Sequence, residues 1–249
     1  MDFSERKGNF TSSQIHRLCV SLKSGKPSSA FYMYIDDVKC EIILNRSSNV
    51  EVNTKPLKYG SLMEIVLFQK EEIGLEYSMV NKATIKHSKI KHFAGTPDLI
   101  QKGVKVGEIK CFYPKNFAKL SLCLLSKDIV KIKKEFPSVY WQVVSNAILC
   151  NVKKAEIIVY MPYKKEIEQI LKDIEDTNLL EGNNLNPSDY YFMTYDSIET
   201  LPYLPENSSL KNINRFEFEV PNEDIILLKE RLKEANEILD SELSIIKNE

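Results

Sequence analysis

The chain has 249 residues, 43% of them apolar, enough for a sizeable core and ordinary for a globular protein. Its net charge of −1 argues against indiscriminate coating of nucleic acid, and no apolar run approaches the ~20 residues of a membrane span. The five cysteines (Cys19, Cys40, Cys111, Cys123, Cys150) are odd in number and lack Cys-x-x-Cys spacing, which argues against a disulfide framework, a zinc site or an iron–sulfur cluster. The opening Met-Asp-Phe-Ser-Glu-Arg-Lys has no apolar signal core, so a reducing cytoplasm is expected.

Elements follow from the periodicity of apolar residues. A first helix is predicted over Thr11 to Lys23, with Ile15, Leu18, Cys19 and Leu22 on one face, ended by Gly25-Lys26-Pro27-Ser28. A second spans Ala30 to Leu44, followed by a polar loop over Asn45 to Pro56. A third helix runs from about Ser61 to Glu76. Thr84 to Phe93 reads as a strand, and Leu99 to Phe112 as a hairpin turning at Lys102-Gly103. Helices are expected over Phe117 to Glu135 and Ser138 to Cys150, parted by Pro137. A buried strand (Glu156 to Met161) and a helix (Glu166 to Ile174) come next. Asn183 to Ser209 is predicted as a long loop, Phe216, Phe218 and Val220 as a strand, and Glu223 to Ile246 as a long amphipathic helix. Helices before, within and after a small central mixed β-sheet make the class α/β, in one domain over 1–249, with a core over about 6–162 and an acidic extension over 163–249 packed on it.

Charge is distributed unevenly. Between Lys82 and Lys119 nine lysines face only Asp98 and Glu108, and from Lys164 onward acids outnumber bases about two to one. The basic stretch fits either a phosphate-rich substrate or a solvated lysine surface.

Within that stretch Pro97-Asp98 is followed, after nine intervening residues, by Glu108-Ile109-Lys110. If the segment is a hairpin, Asp98 and Glu108 meet, and alternation puts Glu108 and Lys110 on one face and Ile109 on the other. Two carboxylates beside a lysine suit a divalent cation and a nucleophilic water; a surface hairpin with a salt bridge is the plainer alternative.

This hairpin has the features of a PD-(D/E)xK nuclease core, and the segments around it resemble the phage lambda exonuclease branch, the YqaJ-type viral recombinases. The resemblance is carried in order by 9–16 (Asn-Phe-Thr-Ser-Ser-Gln-Ile-His), Ser24-Gly25-Lys26, 60–64 (Gly-Ser-Leu-Met-Glu), 108–111 (Glu-Ile-Lys-Cys), 140–143 (Tyr-Trp-Gln-Val) and 155–160 (Ala-Glu-Ile-Ile-Val-Tyr). It covers residues 6 to about 162.

The resemblance implies a restriction-endonuclease-like core with Asp98, Glu108 and the Ile109 carbonyl as ligands of Mg²⁺ or Mn²⁺. It gives Lys110 the attacking water, Glu64 a water or second ion, and Gln142 the positioning of nucleophile or lysine. Arg6 and Ser13 would receive a 5′-phosphate, Ser13 near a helix N-terminus, and Leu57 would wedge apart the terminal base pair. It further implies 5′ to 3′ digestion of one strand from duplex DNA ends, a homotrimeric ring, a single-strand annealing recombinase as partner, and a phage or prophage origin. His87 and His92 lack ligand spacing and read as surface residues near phosphate. Two departures stand out. Lys86, His87, Ser88 and Lys89 occupy the region where the family often has a further aspartate, and Leu99 replaces the usual glycine after Pro-Asp. A structure-specific or restriction-type endonuclease, and a catalytically silent DNA-binding module, remain alternative readings.

Overall fold

A computed structural model describes residues 5–20, 25–47, 54–79, 83–176, 178–195 and 197–247. In chain order the elements are β1 (Phe10–Thr11), α1 (His16–Cys19), α2 (Ser29–Ile43), α3 (Lys55–Phe68), α4 (Glu71–Gly74), β2 (Ser78–Met79), β3 (Ile85–Lys86), β4 (Phe93–Gly95), β5 (Leu99–Gln101) and β6 (Lys105–Lys110). They continue with α5 (Pro114–Leu125), α6 (Ile129–Glu135), α7 (Pro137–Leu149), β7 (Lys154–Tyr160), α8 (Lys164–Glu175), α9 (Asn178–Glu181), α10 (Phe192–Tyr195), β8 (Ile213–Glu219) and α11 (Asn222–Lys247).

Five strands form a mixed sheet in the order β2-β5-β6-β7-β8, in which only β6 and β7 run parallel. The remaining three form a small sheet, β1-β4-β3. Alternation along the central strands sends Val106, Ala155, Ile157 and Val159 to one face, where α5 and α7 cover them in one core with α2 and α11. Ile109, Ile158 and Tyr160 point to the other face, against α3 and α8. Glu108 and Lys110 share the face of Val106 and therefore look toward α7.

The mixed α/β architecture with helices on both faces of the sheet is as expected, and the Lys102-Gly103 turn is present, with Gly103 at φ +74°. Several boundaries differ. The first predicted helix is a two-residue strand, a run of turns and the single turn α1; residues 21–24 lie outside the described residues. The loop over 45–56 and the helix over 61–76 are redrawn, because Pro56 in the first turn starts α3 at Lys55. Residues 48–53 lie outside the described residues, and α3 ends at Phe68 before the short α4. The strand over 84–93 reduces to two short pieces, β3 and β4, joined by bends. The helix over 117–135 breaks at Lys127, which adopts φ 53°, and Asp128 restarts it by accepting the Lys131 N–H at 3.0 Å. The segment 183–209 contains α10 and two 3₁₀ turns.

Candidate active site

Asp98 precedes β5 and its Oδ2 accepts the backbone N–H of Ile109 at 2.8 Å, so the hairpin closes through the side chain itself. A strand residue points its N–H and C=O toward the same edge, so the Ile109 carbonyl faces the side of Asp98. Glu108, 1% exposed, takes Lys110 Nζ on Oε1 at 2.8 Å and Asn146 Nδ2 on Oε2 at 3.1 Å. Lys110 Nζ also donates to Gln142 Oε1 at 3.1 Å. Gln142 and Asn146 lie four residues apart on α7, hence on one helix face.

Electrostatics follow from burial. The Glu108 carboxyl is pushed well above the usual carboxylate range by burial and then by Asp98 beside it. Burial also raises Asp98, against the opposing pull of Lys110 and the Ile109 N–H. For Lys110 burial acts downward, but Glu108 and Asp98 outweigh it and hold the ammonium charged. Two adjoining carboxylates, Glu108 buried and Asp98 half-buried, with one lysine on Glu108 leave an excess of acceptor oxygens.

That donor set fits a hard divalent cation, which takes carboxylate and carbonyl oxygens. Glu64, half-buried on α3, lies within electrostatic reach of Lys110 but does not close with Asp98 and Glu108 into a three-carboxylate cluster.

Arg6 lies within electrostatic reach of the same carboxylates: burial lowers its pKa, and Tyr34, Glu108 and Asp98 pull the other way. It lines a cleft of about 240 Å³ together with Thr11, Ser13, Gln14, Arg17 and Tyr34. Buried Tyr34 accepts the Thr11 N–H at 2.6 Å, and Arg17 lies over its ring. Ser13 belongs to the turns before α1, a helix too short to add an appreciable dipole, so its hydroxyl is its contribution. Leu57 stands 56% exposed in the first turn of α3. The structure therefore gathers Asp98, Glu108, Ile109, Lys110 and Gln142, sets Arg6 and Glu64 beside them, and places Ser13 in the adjoining cleft.

His87 and His92 are tied to the backbone. His87 Nδ1 accepts the Lys89 and Ile90 N–H groups, and His92, at φ 50°, bonds the Gly8 carbonyl. Asn146 is not among the residues the sequence points to; its bond to Glu108 is what brings it into the site.

A second carboxylate group lies on the opposite face of the sheet. Glu76, Glu156 and Glu217 are close enough to share an ion, but Lys105 Nζ sits 2.5, 3.0 and 2.7 Å from them. Arg215 adds bonds of 2.6 Å to both Glu76 and Glu156. This network, buried at Lys105 and Glu156, already has its cations and joins β6, β7 and β8.

No family's sequence model matches the chain, and neither does any curated protein. Solved structures do. The alkaline exonuclease LHK-Exo from Laribacter hongkongensis superposes with a TM-score of 0.63 at 13% identity, over 99% of this chain and 95% of that one, as does its complex with dAMP. A phage-related exonuclease from Haemophilus somnus 129PT gives 0.61 at 16% identity, over 96% of each chain. The chain has the fold of these exonucleases. That likeness accords with the family resemblance carried by the hairpin and its flanking segments. Among the described residues no helix is long and apolar enough to cross a membrane.

Proposed function

We propose that this chain is a divalent-metal-dependent DNA exonuclease that removes nucleotides from one strand of linear duplex DNA, 5′ to 3′, exposing single strand for recombination. The observation that carries the reading is the convergence of Asp98, Glu108, Lys110 and Gln142 beside the Arg6 cleft.

Asp98, Glu108 and the Ile109 carbonyl would hold Mg²⁺ or Mn²⁺. The bound cation would supply Lewis-acid polarisation of the scissile phosphate and an acidified water. Lys110, charged and fixed between Glu108 and Gln142, orients the attacking water and offsets charge growing on the phosphate. Gln142 keeps the ammonium in that place, and Glu64 holds water on the far side. Arg6 and the Ser13 hydroxyl receive a terminal 5′-phosphate, a fork and a donor suited to an oxyanion. Leu57, apolar and exposed, parts the terminal base pair. The bound dAMP in one similar structure is the kind of product stepwise hydrolysis releases.

In the same reading the chain is one domain, assembles as a trimeric ring that keeps a nearly neutral protein on DNA, and hands its product to an annealing recombinase in a phage-infected bacterial cytoplasm. The test is digestion of linear duplex with and without a 5′-phosphate, beside closed circles, in Mg²⁺ or Mn²⁺. Loss of one strand from phosphorylated ends is expected. Cutting of circles would make it an endonuclease, and no hydrolysis with either metal a silent DNA-binding module.

A further inference from the structure

We infer that Asn146 is a positioning residue for Glu108, the residue that holds this carboxylate in the orientation needed to bind a metal ion; the inference rests on the nuclease reading above. Glu108 is fixed at two points. Lys110 engages Oε1 and Asn146 engages Oε2, so the carboxylate cannot rotate about its last bond without losing one of them. Lys110 is in turn held by Gln142, so a single face of α7 supplies both restraints.

Asn146 is a poor choice for stability alone. It is fully buried, and its Oδ1 has no hydrogen-bond partner among the described residues. Turning the amide would not serve a metal ligand, because Glu108 ionised to hold a cation only accepts and the NH₂ must then face it. The oxygen is instead lodged against Gly95. A Cβ there would lie 2.9 Å from Oδ1 and 1.9 Å from Ser12 Oγ. Ser12 Oγ bonds Ser145 Oγ at 2.8 Å, which ties α7 to the segment carrying Ser13 and fixes the height of Asn146 on the sheet. An apolar residue of this volume would fill the site without an unpaired oxygen; only a donor aimed at Glu108 gives the asparagine a use. Partners of ligating carboxylates commonly set affinity in this way.

The test uses the full chain without DNA and titrates Mn²⁺ by calorimetry, on wild type, Asn146→Leu and Asn146→Ala, with Asp98→Asn as the non-binding control. Leucine keeps the volume and removes the donor; alanine covers the case in which leucine crowds Gly95. The expected result is Mn²⁺ binding weakened ~10–100-fold in both, with the leucine variant still unfolding in a single cooperative transition. Digestion should fall at limiting Mn²⁺ and recover as the metal is raised, with KM for DNA unchanged. Wild-type Mn²⁺ affinity in both variants overturns the inference alone. Wild type that binds no Mn²⁺ overturns the nuclease reading with it.

Discussion

Lys110 Nζ lies 2.8 Å from Glu108 Oε1, two residues along the same strand and on the same face, while Gln142 Oε1 holds it from the helix above at 3.1 Å. The lysine is thus both the neutralising charge of a buried acid and the only ammonium bonded to that acid's carboxylate among the described side chains. Lys110→Ala should therefore change two quantities at once. Hydrolysis of linear duplex should drop by ~10²–10³, the range for removing one preorganised charge-stabilising donor. Metal-free stability should fall by about 1–3 kcal/mol, because Glu108 keeps its burial and loses a charged partner. Gel-based digestion and urea unfolding in EDTA measure the two separately. Full activity in the alanine variant would remove Lys110 from the chemistry.

Arg6 stands between the carboxylate pair and the adjoining cleft, so its substitution should be selective rather than uniform. Charge-assisted hydrogen bonds contribute about 1.5–3 kcal/mol, or roughly 10- to 150-fold. Wild type should prefer a 5′-phosphorylated end, and Arg6→Ala should slow on that end until it matches a 5′-hydroxyl end. Initial rates on the two substrates check this. An equal loss on both ends would assign Arg6 to the carboxylates instead.

Asp98 and Glu108 both titrate above their ordinary range, chiefly through burial. Above the ordinary carboxylate pKa of about 4, the unfolded chain has shed protons that the folded chain still keeps. Their contribution to metal-free stability therefore falls as pH rises from there through the raised folded values. Glu76 is shifted the other way by Lys105 and Arg215, and Glu217 by Lys105 and Lys154, so the whole-protein trend mixes the two. The difference in melting temperature between wild type and Glu108→Gln isolates the pair and should fall with pH in EDTA. Mg²⁺ should restore it and release protons, since the ligand carboxylates must be ionised. A difference that grows with pH in EDTA would sink the argument.

How far the sequence disclosed these features varied with the kind of signal. The hairpin carrying Asp98, Glu108 and Lys110 was legible because Pro-Asp, Gly103 and a two-residue alternation all act locally. The ends of α3 were not. Lys55-Pro56-Leu57 looks like loop by composition, yet proline favours the first turn of a helix. The break at Lys127 was hidden because a non-glycine residue takes the left-handed conformation there, with only Asp128 to mark the restart. β1 and β4 are two and three residues long, too short for a periodic pattern, and form through long-range pairing of Phe10 with Phe93. Asn146 escaped notice because an asparagine on an apolar helix gains meaning only once Glu108 is seen opposite it.

Gly95 sits where three of these parts meet, and its value lies in having no side chain. Its conformation is ordinary, so the constraint is space alone. An added Cβ would lie 1.9 Å from Ser12 Oγ, 2.7 Å from Leu149 Cδ1 and 2.9 Å from Asn146 Oδ1, and the serine and asparagine are fully buried. Gly95→Ala should cost about 1–3 kcal/mol by overpacking and weaken metal binding by shifting Asn146. Removing the tightest contact should recover part of that cost: the double variant Ser12→Ala with Gly95→Ala should be more stable than the sum of the single losses by about 0.5 kcal/mol or more. Denaturant unfolding of the four proteins gives the coupling directly. Strict additivity would mean that Ser12 moves aside freely and that the rigidity of this corner comes from elsewhere in α7.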